Sequence, residues 1–206
     1  MLREYVELIL VCVLFLIFVR AFVFQQSEIP TSSMENTILV GDYILVNRFV
    51  YAPGSEWERR LLPMREIQRG DIVVFKRPDT PEVDYIKRVV GVPGDLVAVR
   101  QGFLYVNGEA VEEPYVGKLY RDRSSFGPVQ VEPGHFFMMG DHRNRSSDSR
   151  VWGEVPQELI KGRAFMVLFS TNAGRSDDAV SPKSLVRKIF NPLFRSRWDR
   201  SLTPLR

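Results

Sequence analysis

The sequence predicts a mainly β protein: an N-terminal transmembrane helix, then an antiparallel β-sheet domain carrying a small second β subdomain. Three observations predict it. Residues 5–24 read "YVELILVCVLFLIFVRAFVF", a long apolar run. From residue 38 on, the pattern changes to short runs rich in Val, Ile, Phe and Tyr, broken by turn residues. Hydrophobic residues make up 45% of the 206, enough for a packed core.

The anchor is assigned to residues 1–26. Its charge-free core runs from Leu8 to Val19, between Glu7 and Arg20. Crossing hydrocarbon takes roughly 20 helical residues. The segment reaches that length when Arg20 extends its guanidinium to an interface. A cleavable leader needs small residues ahead of its cut. Here Arg20, Phe22, Val23 and Phe24 follow the core, so an uncleaved anchor is expected. Arg3 is offset by Glu4, which specifies orientation weakly; a domain outside the cytoplasm leaves the N-terminus inside.

The folded domain is assigned to 27–174, with the second subdomain at about 95–135. Strands are expected within 38–51, 70–75, 83–92, 95–111, 135–141 and 164–169. Asn107-Gly108 is a strong hairpin signal and Gln101-Gly102 a weaker one. Gly-Asp pairs beginning at 41, 70, 94 and 140 read as strand-edge turns. Residues 54–69 form a charged surface excursion. The basic tail, 175–206, sets eight basic residues against three acids. Within it Val186, Ile189, Phe190 and Leu193 follow helical spacing, but Pro182 and Pro192 limit any helix, leaving a disordered tail and a membrane-surface helix open.

Cys12, the only cysteine, lies in the apolar run, so no disulfide forms within the chain. No His/Cys cluster has zinc spacing; no metal and no cofactor are expected. A net charge of +3 calls for no nucleic acid, and a monomer is expected.

Three hydroxyls, Thr31, Ser32 and Ser33, stand between Pro30 and Met34 just after the anchor. A lone serine after proline is a turn residue. A nucleophilic serine needs a neighbour to take its proton. His135 opens an apolar strand and reads as structural, while His142 in "GDHRNRSSDSR" remains a candidate. Lys87 is the other. Strand alternation puts Val83, Tyr85, Lys87 and Val89 on one face, and Asp84, Ile86, Arg88 and Val90 on the other. A lysine held against apolar surface loses pKa and can serve as a base. A lysine reaching from the strand edge to water is the plainer reading. In 140–156, Asp148 and Arg150 can pair and stiffen a long polar loop, where a hydroxyl such as that of Ser146 could orient a neutral lysine.

As an ordered set, "IPTSSMENTILVGD", "RGDIVVF", "DYIKRVVGVPGD" and "GDHRNRSSDSRVWG" resemble the boxes of type I signal peptidases, membrane-bound bacterial serine endopeptidases that remove signal peptides from secreted preproteins. The resemblance runs from the anchor to about residue 169 and implies an antiparallel β catalytic domain. It implies Ser33 as nucleophile and Lys87 as general base. Thr31 and the Ser33 N–H would bind the oxyanion. Ser146 would hold the lysine, Asp148 and Arg150 would support the loop, and Met34, Ile38, Tyr85 and Ile86 would line the substrate pockets. Small residues are implied at substrate positions −1 and −3. The implied setting is the bacterial cytoplasmic membrane, crossed once, with the catalytic domain on the extracytoplasmic side; the partners are preproteins and the lipid bilayer. Ser32 replaces a usual glycine, Asn36 stands where proline is common, and Ser27 falls where some members carry an aromatic. The rival is a non-catalytic, membrane-tethered β domain that binds a partner protein.

Overall fold

The computed structural model describes residues 2–22, 24–51, 64–171 and 197–205, with side chains of the first helix described over 3–15. The protein is mainly β with antiparallel sheets. Helix α1 (Leu2–Phe22) is followed by β1 (Phe24–Glu28), β2 (Asp42–Asn47), β3 (Ile72–Arg77) and β4 (Thr80–Gly91). Then come β5 (Leu96–Arg100), β6 (Phe103–Val106), β7 (Glu109–Ala110), β8 (Phe126–Gln130) and β9 (His135–Met139). One short helix, α2 (Ser149–Trp152), precedes β10 (Val155–Pro156), β11 (Ile160–Ser170) and β12 (Thr203–Pro204).

The larger sheet runs β1-β2-β11-β3-β4-β9-β10, with β12 paired to β11. The smaller runs β7-β6-β5-β8. Next to the edge strand, β2 alternates, burying Asp42, Ile44 and Val46. In the centre, Ile72 to Phe75 of β3 are all buried, because both faces of the sheet are covered. One core holds Met34, Ile38, Ile44, Val46, Ile72, Val74 and Ile86. A second, on the opposite face of β3, holds Val73, Phe75, Val89, Met138 and Val155. A third joins the sheets through Val90, Val97, Leu104 and Phe137.

Both predicted hairpins form. Asn107 and Gly108 have φ of 55° and 88°, and Gln101 and Gly102 have 50° and 81°. Positive φ at both central residues matches the twist of the flanking strands. The sequence does not predict β1: "FQQSE" lacks apolar alternation, and its first residues fall in the expected anchor. Pairing with β2 overrides that weak local pattern. β8 carries Pro128, which gives no N–H to a ladder and so hides a strand from pattern reading.

The expected anchor needs correction in extent. Its helix ends at Phe22, and residues 24–26 belong to β1. Tyr5, Val6, Leu8 to Val11 and Phe15 expose their apolar side chains. Among the described residues, no helix is long and apolar enough to cross a membrane. The helical spacing expected at 186–193 and most of the 54–69 excursion lie outside the described residues. The described end of the chain folds back: Arg200 Nη2 donates to Asp42 Oδ2 at 2.6 Å and to the Thr37 carbonyl at 3.0 Å.

Candidate active site

The serine stands on a closed turn between β1 and β2. Ile29 N–H donates to the Asp42 carbonyl at 2.9 Å and Gly41 N–H to the Ile29 carbonyl at 3.0 Å, so the segment leaves and rejoins the sheet at one point. Met34 and Ile38, one helical turn apart, are buried in the same core, and Ile38 N–H donates to the Met34 carbonyl at 2.9 Å. Apolar pinning of those two side chains fixes the turn that carries Ser33, which is itself buried. His142 N–H donates to the Ser33 carbonyl at 3.1 Å. A Cβ on Gly140 would stand 2.5 Å from that carbonyl oxygen and 2.3 Å from Ser146 Oγ, so this close approach requires glycine.

Lys87 lies in β4 opposite Val73 of β3. Tyr85 and Val89 pack into the core on this face. The lysine is 2% exposed. Its Nζ donates to Ser33 Oγ at 2.7 Å and to the Ile86 carbonyl at 2.9 Å. Burial pulls its pKa from 10.5 down to about 8, although the charges of Asp148 and Asp141 push the other way. A residue that pattern alone left between base and edge lysine is therefore buried against the turn that carries Ser33, and burial disfavours its charged form.

Asp148 caps α2 and takes Arg150 in a two-pronged pair, Nε to Oδ1 at 2.8 Å and Nη2 to Oδ2 at 2.9 Å. Its Oδ2 also accepts from Gly140 N–H at 3.1 Å, and Arg150 bonds Asp122 and the Arg143 carbonyl. The pairing expected in this loop thus joins the loop to the end of β9, beside the serine.

The sequence model described as signal peptidase, peptidase S26, matches residues 2–169. The chain belongs to this family. The signal peptidase I of Pseudomonas aeruginosa is 39% identical, over 77% of this chain and 69% of its own length. That of Aquifex aeolicus is 32% identical over 98% of both chains. That of Bacillus licheniformis is 34% identical over 85% of this chain and 92% of its own. Membership in the S26 family makes this chain a serine peptidase.

The other residues implied by the family resemblance fall into place unevenly. Ser146 Oγ makes no hydrogen bond with the lysine; it is buried without a hydrogen-bond partner among the described residues, and the second acceptor of Lys87 is the Ile86 carbonyl. Thr31 is exposed beside the turn. Met34, Ile38 and Ile86 share one core, the first two fully buried, whereas Tyr85 packs on the opposite face against Phe75. His142 Nδ1 faces the Ser32 carbonyl at 3.1 Å and Glu35 at 3.2 Å rather than Ser33 Oγ. His135 Nδ1 faces the Pro133 carbonyl, a local contact.

Sequence reasoning missed the ion pair beside the lysine. Arg88 shares a face with Asp84 in pattern, but its guanidinium grips Asp141, Nε to Oδ1 at 2.9 Å and Nη2 to Oδ2 at 2.8 Å. Thr37 Oγ1 donates to Asp141 as well, at 2.5 Å. Asp84 instead pairs with Lys161 at 2.6 Å. The one sequence signal was Asp141 in the last Gly-Asp turn. Among the described residues no group of acidic, His or Cys side chains could hold a metal ion.

Proposed function

We infer that the chain removes the N-terminal signal peptides of secreted preproteins, with Ser33 as nucleophile and neutral Lys87 as general base. The observation that carries this reading is the 2.7 Å contact between Lys87 Nζ and Ser33 Oγ inside a dry setting. With the amine neutral, the same contact runs the other way, the hydroxyl donating. Ser33 Oγ attacks the scissile carbonyl carbon as its proton passes to Nζ. Thr31 Oγ and the Ser33 N–H, which has no acceptor among the described residues, bind the oxyanion. The C–N bond then breaks and lysinium gives its proton to the leaving amine. Water, deprotonated by the amine, attacks the acyl ester and frees Ser33. In this reading the Asp148–Arg150 pair holds the loop beside the lysine.

Met34, Ile38 and Ile86 form an apolar floor beneath the serine and Tyr85 lies beside the lysine, consistent with shallow pockets that take small residues at −1 and −3. The apolar exposed face of α1 supports its role as a single membrane anchor. In this reading the chain sits in a bacterial cytoplasmic membrane, domain outward, with α1 anchoring and the β domain, joined by residues 197–205, catalysing. A partner-binding β domain would have no use for a buried lysine aimed at a serine.

The test is cleavage of a preprotein by the detergent-solubilised chain. Ser33→Ala and Lys87→Ala each abolish cleavage, whereas His142→Ala costs far less than either. Loss with His142→Ala and survival of Lys87→Ala would falsify the assignment of the base.

A further inference from the structure

The turn that carries Ser33 is held on its outer side by a loop from the smaller sheet. Asn36 Nδ2 donates to the Tyr115 carbonyl at 2.8 Å, across 79 positions of sequence. Asn36 has φ of 92°, the left-handed region that Asn tolerates and a β-branched or proline residue does not. The loop it grips is itself fixed. The Tyr115 ring lies 3.8 Å from the Arg88 guanidinium carbon. Glu113 is fully buried against Arg143, whose Nε donates to the Gly140 carbonyl at 3.0 Å. Asn144 N–H donates to the Tyr120 carbonyl at 3.1 Å, and the Tyr120 ring packs 4.2 Å from His142. A Cβ on Gly117 would stand 3.4 Å from Asn36 Oδ1 and 2.9 Å from the Tyr120 ring, so the asparagine reaches the loop across a glycine.

We propose that Asn36 is a positioning residue: it ties the serine turn to the 113–120 loop and thereby sets where the Ser33 hydroxyl stands relative to the Lys87 amine. This rests on the Ser33/Lys87 reading above. Asn36 does not touch the reacting atoms. It acts through the backbone of the turn, three residues from the nucleophile. Proline, common at this place in the resembled family, locks φ near −65° and cannot follow the backbone here.

The experiment uses the full chain in detergent with a preprotein bearing alanine at −1 and −3, rates being expressed per active serine titrated. Asn36→Gly keeps the backbone conformation and removes the tether; kcat falls about fivefold with KM little changed. Asn36→Asp replaces the donor by an acceptor facing a carbonyl and loses more. Asn36→Pro loses about a hundredfold or more. In Asn36→Gly the acid limb of the kcat–pH profile moves to higher pH, because a loosened turn lets water reach the amine. Wild-type kcat and an unmoved limb in both Asn36→Gly and Asn36→Asp overturn the proposal, as does a drop in melting temperature with kcat per titrated serine intact. Cleavage by Ser33→Ala in the same assay sinks the underlying site assignment instead, whatever the Asn36 variants do.

Discussion

Lys87 and Arg88 are neighbours on β4, 2% and 1% exposed, yet their faces treat positive charge in opposite ways. The Arg88 face provides a carboxylate at two-pronged distance, a threonine bonded to that carboxylate, and the Gly70 carbonyl at 2.9 Å. The Lys87 face provides valines, an aromatic ring, one hydroxyl and one carbonyl. Among the described residues no carboxylate comes within ion-pair distance of Lys87. Burying a charge is costly unless a partner offsets it. One face supplies the partner and keeps a permanent cation; the other withholds it and disfavours the charged amine. The sheet therefore separates structural from chemical charge by one residue of register, since a shift of one position would exchange the two faces.

The largest effect should come from erasing the difference. Lys87→Arg places a guanidinium that cannot lose its proton on the face without a carboxylate. Activity should fall on the order of 10⁴-fold or more, as when either half of a nucleophile–base unit is removed. Retention of a tenth of wild-type rate in a preprotein assay would show that proton loss at this position is unnecessary. Arg88→Met strands Asp141 in the interior, and denaturant unfolding should register a loss of about 3–5 kcal/mol; a neutral result would mean that Asp141 finds other donors.

Lys87→Met acts in the opposite direction. The folded pKa of Lys87, about 8, lies below its ordinary 10.5, so folding opposes its protonation. That cost is full below pH 8, where both states hold the proton, and absent above 10.5, where neither does. The methionine variant should therefore gain about 3 kcal/mol at neutral pH, from 1.36 kcal/mol per unit of displacement. The gain should fade between pH 8 and 10.5; equal stability of the two proteins at pH 7 removes the desolvation argument. The gentlest measurement is the pH profile of the unaltered chain. kcat/KM should climb tenfold per unit of pH and level off near 8. A limb well below 8 would argue against Lys87 as the group whose proton loss limits the rate.

Strand alternation is local and puts the lysine on one face with Tyr85 and Val89, which flank it in space; its choice over an edge lysine rests on the family resemblance. Asp148 and Arg150 are equally local, two residues apart in one loop. Distance hid the rest. Asp141 lies 53 positions from Arg88, and nothing in the spacing favours it over the adjacent Asp84. Asn36 reads as a departure from a proline, and only the positive φ and the reach to Tyr115 give it a purpose. β12 and β10, two residues each, carry too little pattern to be seen without their partners.

The return of residues 197–205 bears on the order in which the protein can be assembled. Arg200 reaches Asp42 from 158 positions downstream, and Leu205 is buried with Met34 and Ile38 beneath the serine turn. During synthesis, the turn leaves the ribosome long before the side chains that close its lower wall, and contacts of such separation form slowly. Until they form, the core beneath the Ser33 turn lacks Leu205. A newly made copy thus completes the packing beneath this turn only after its last residues have been made.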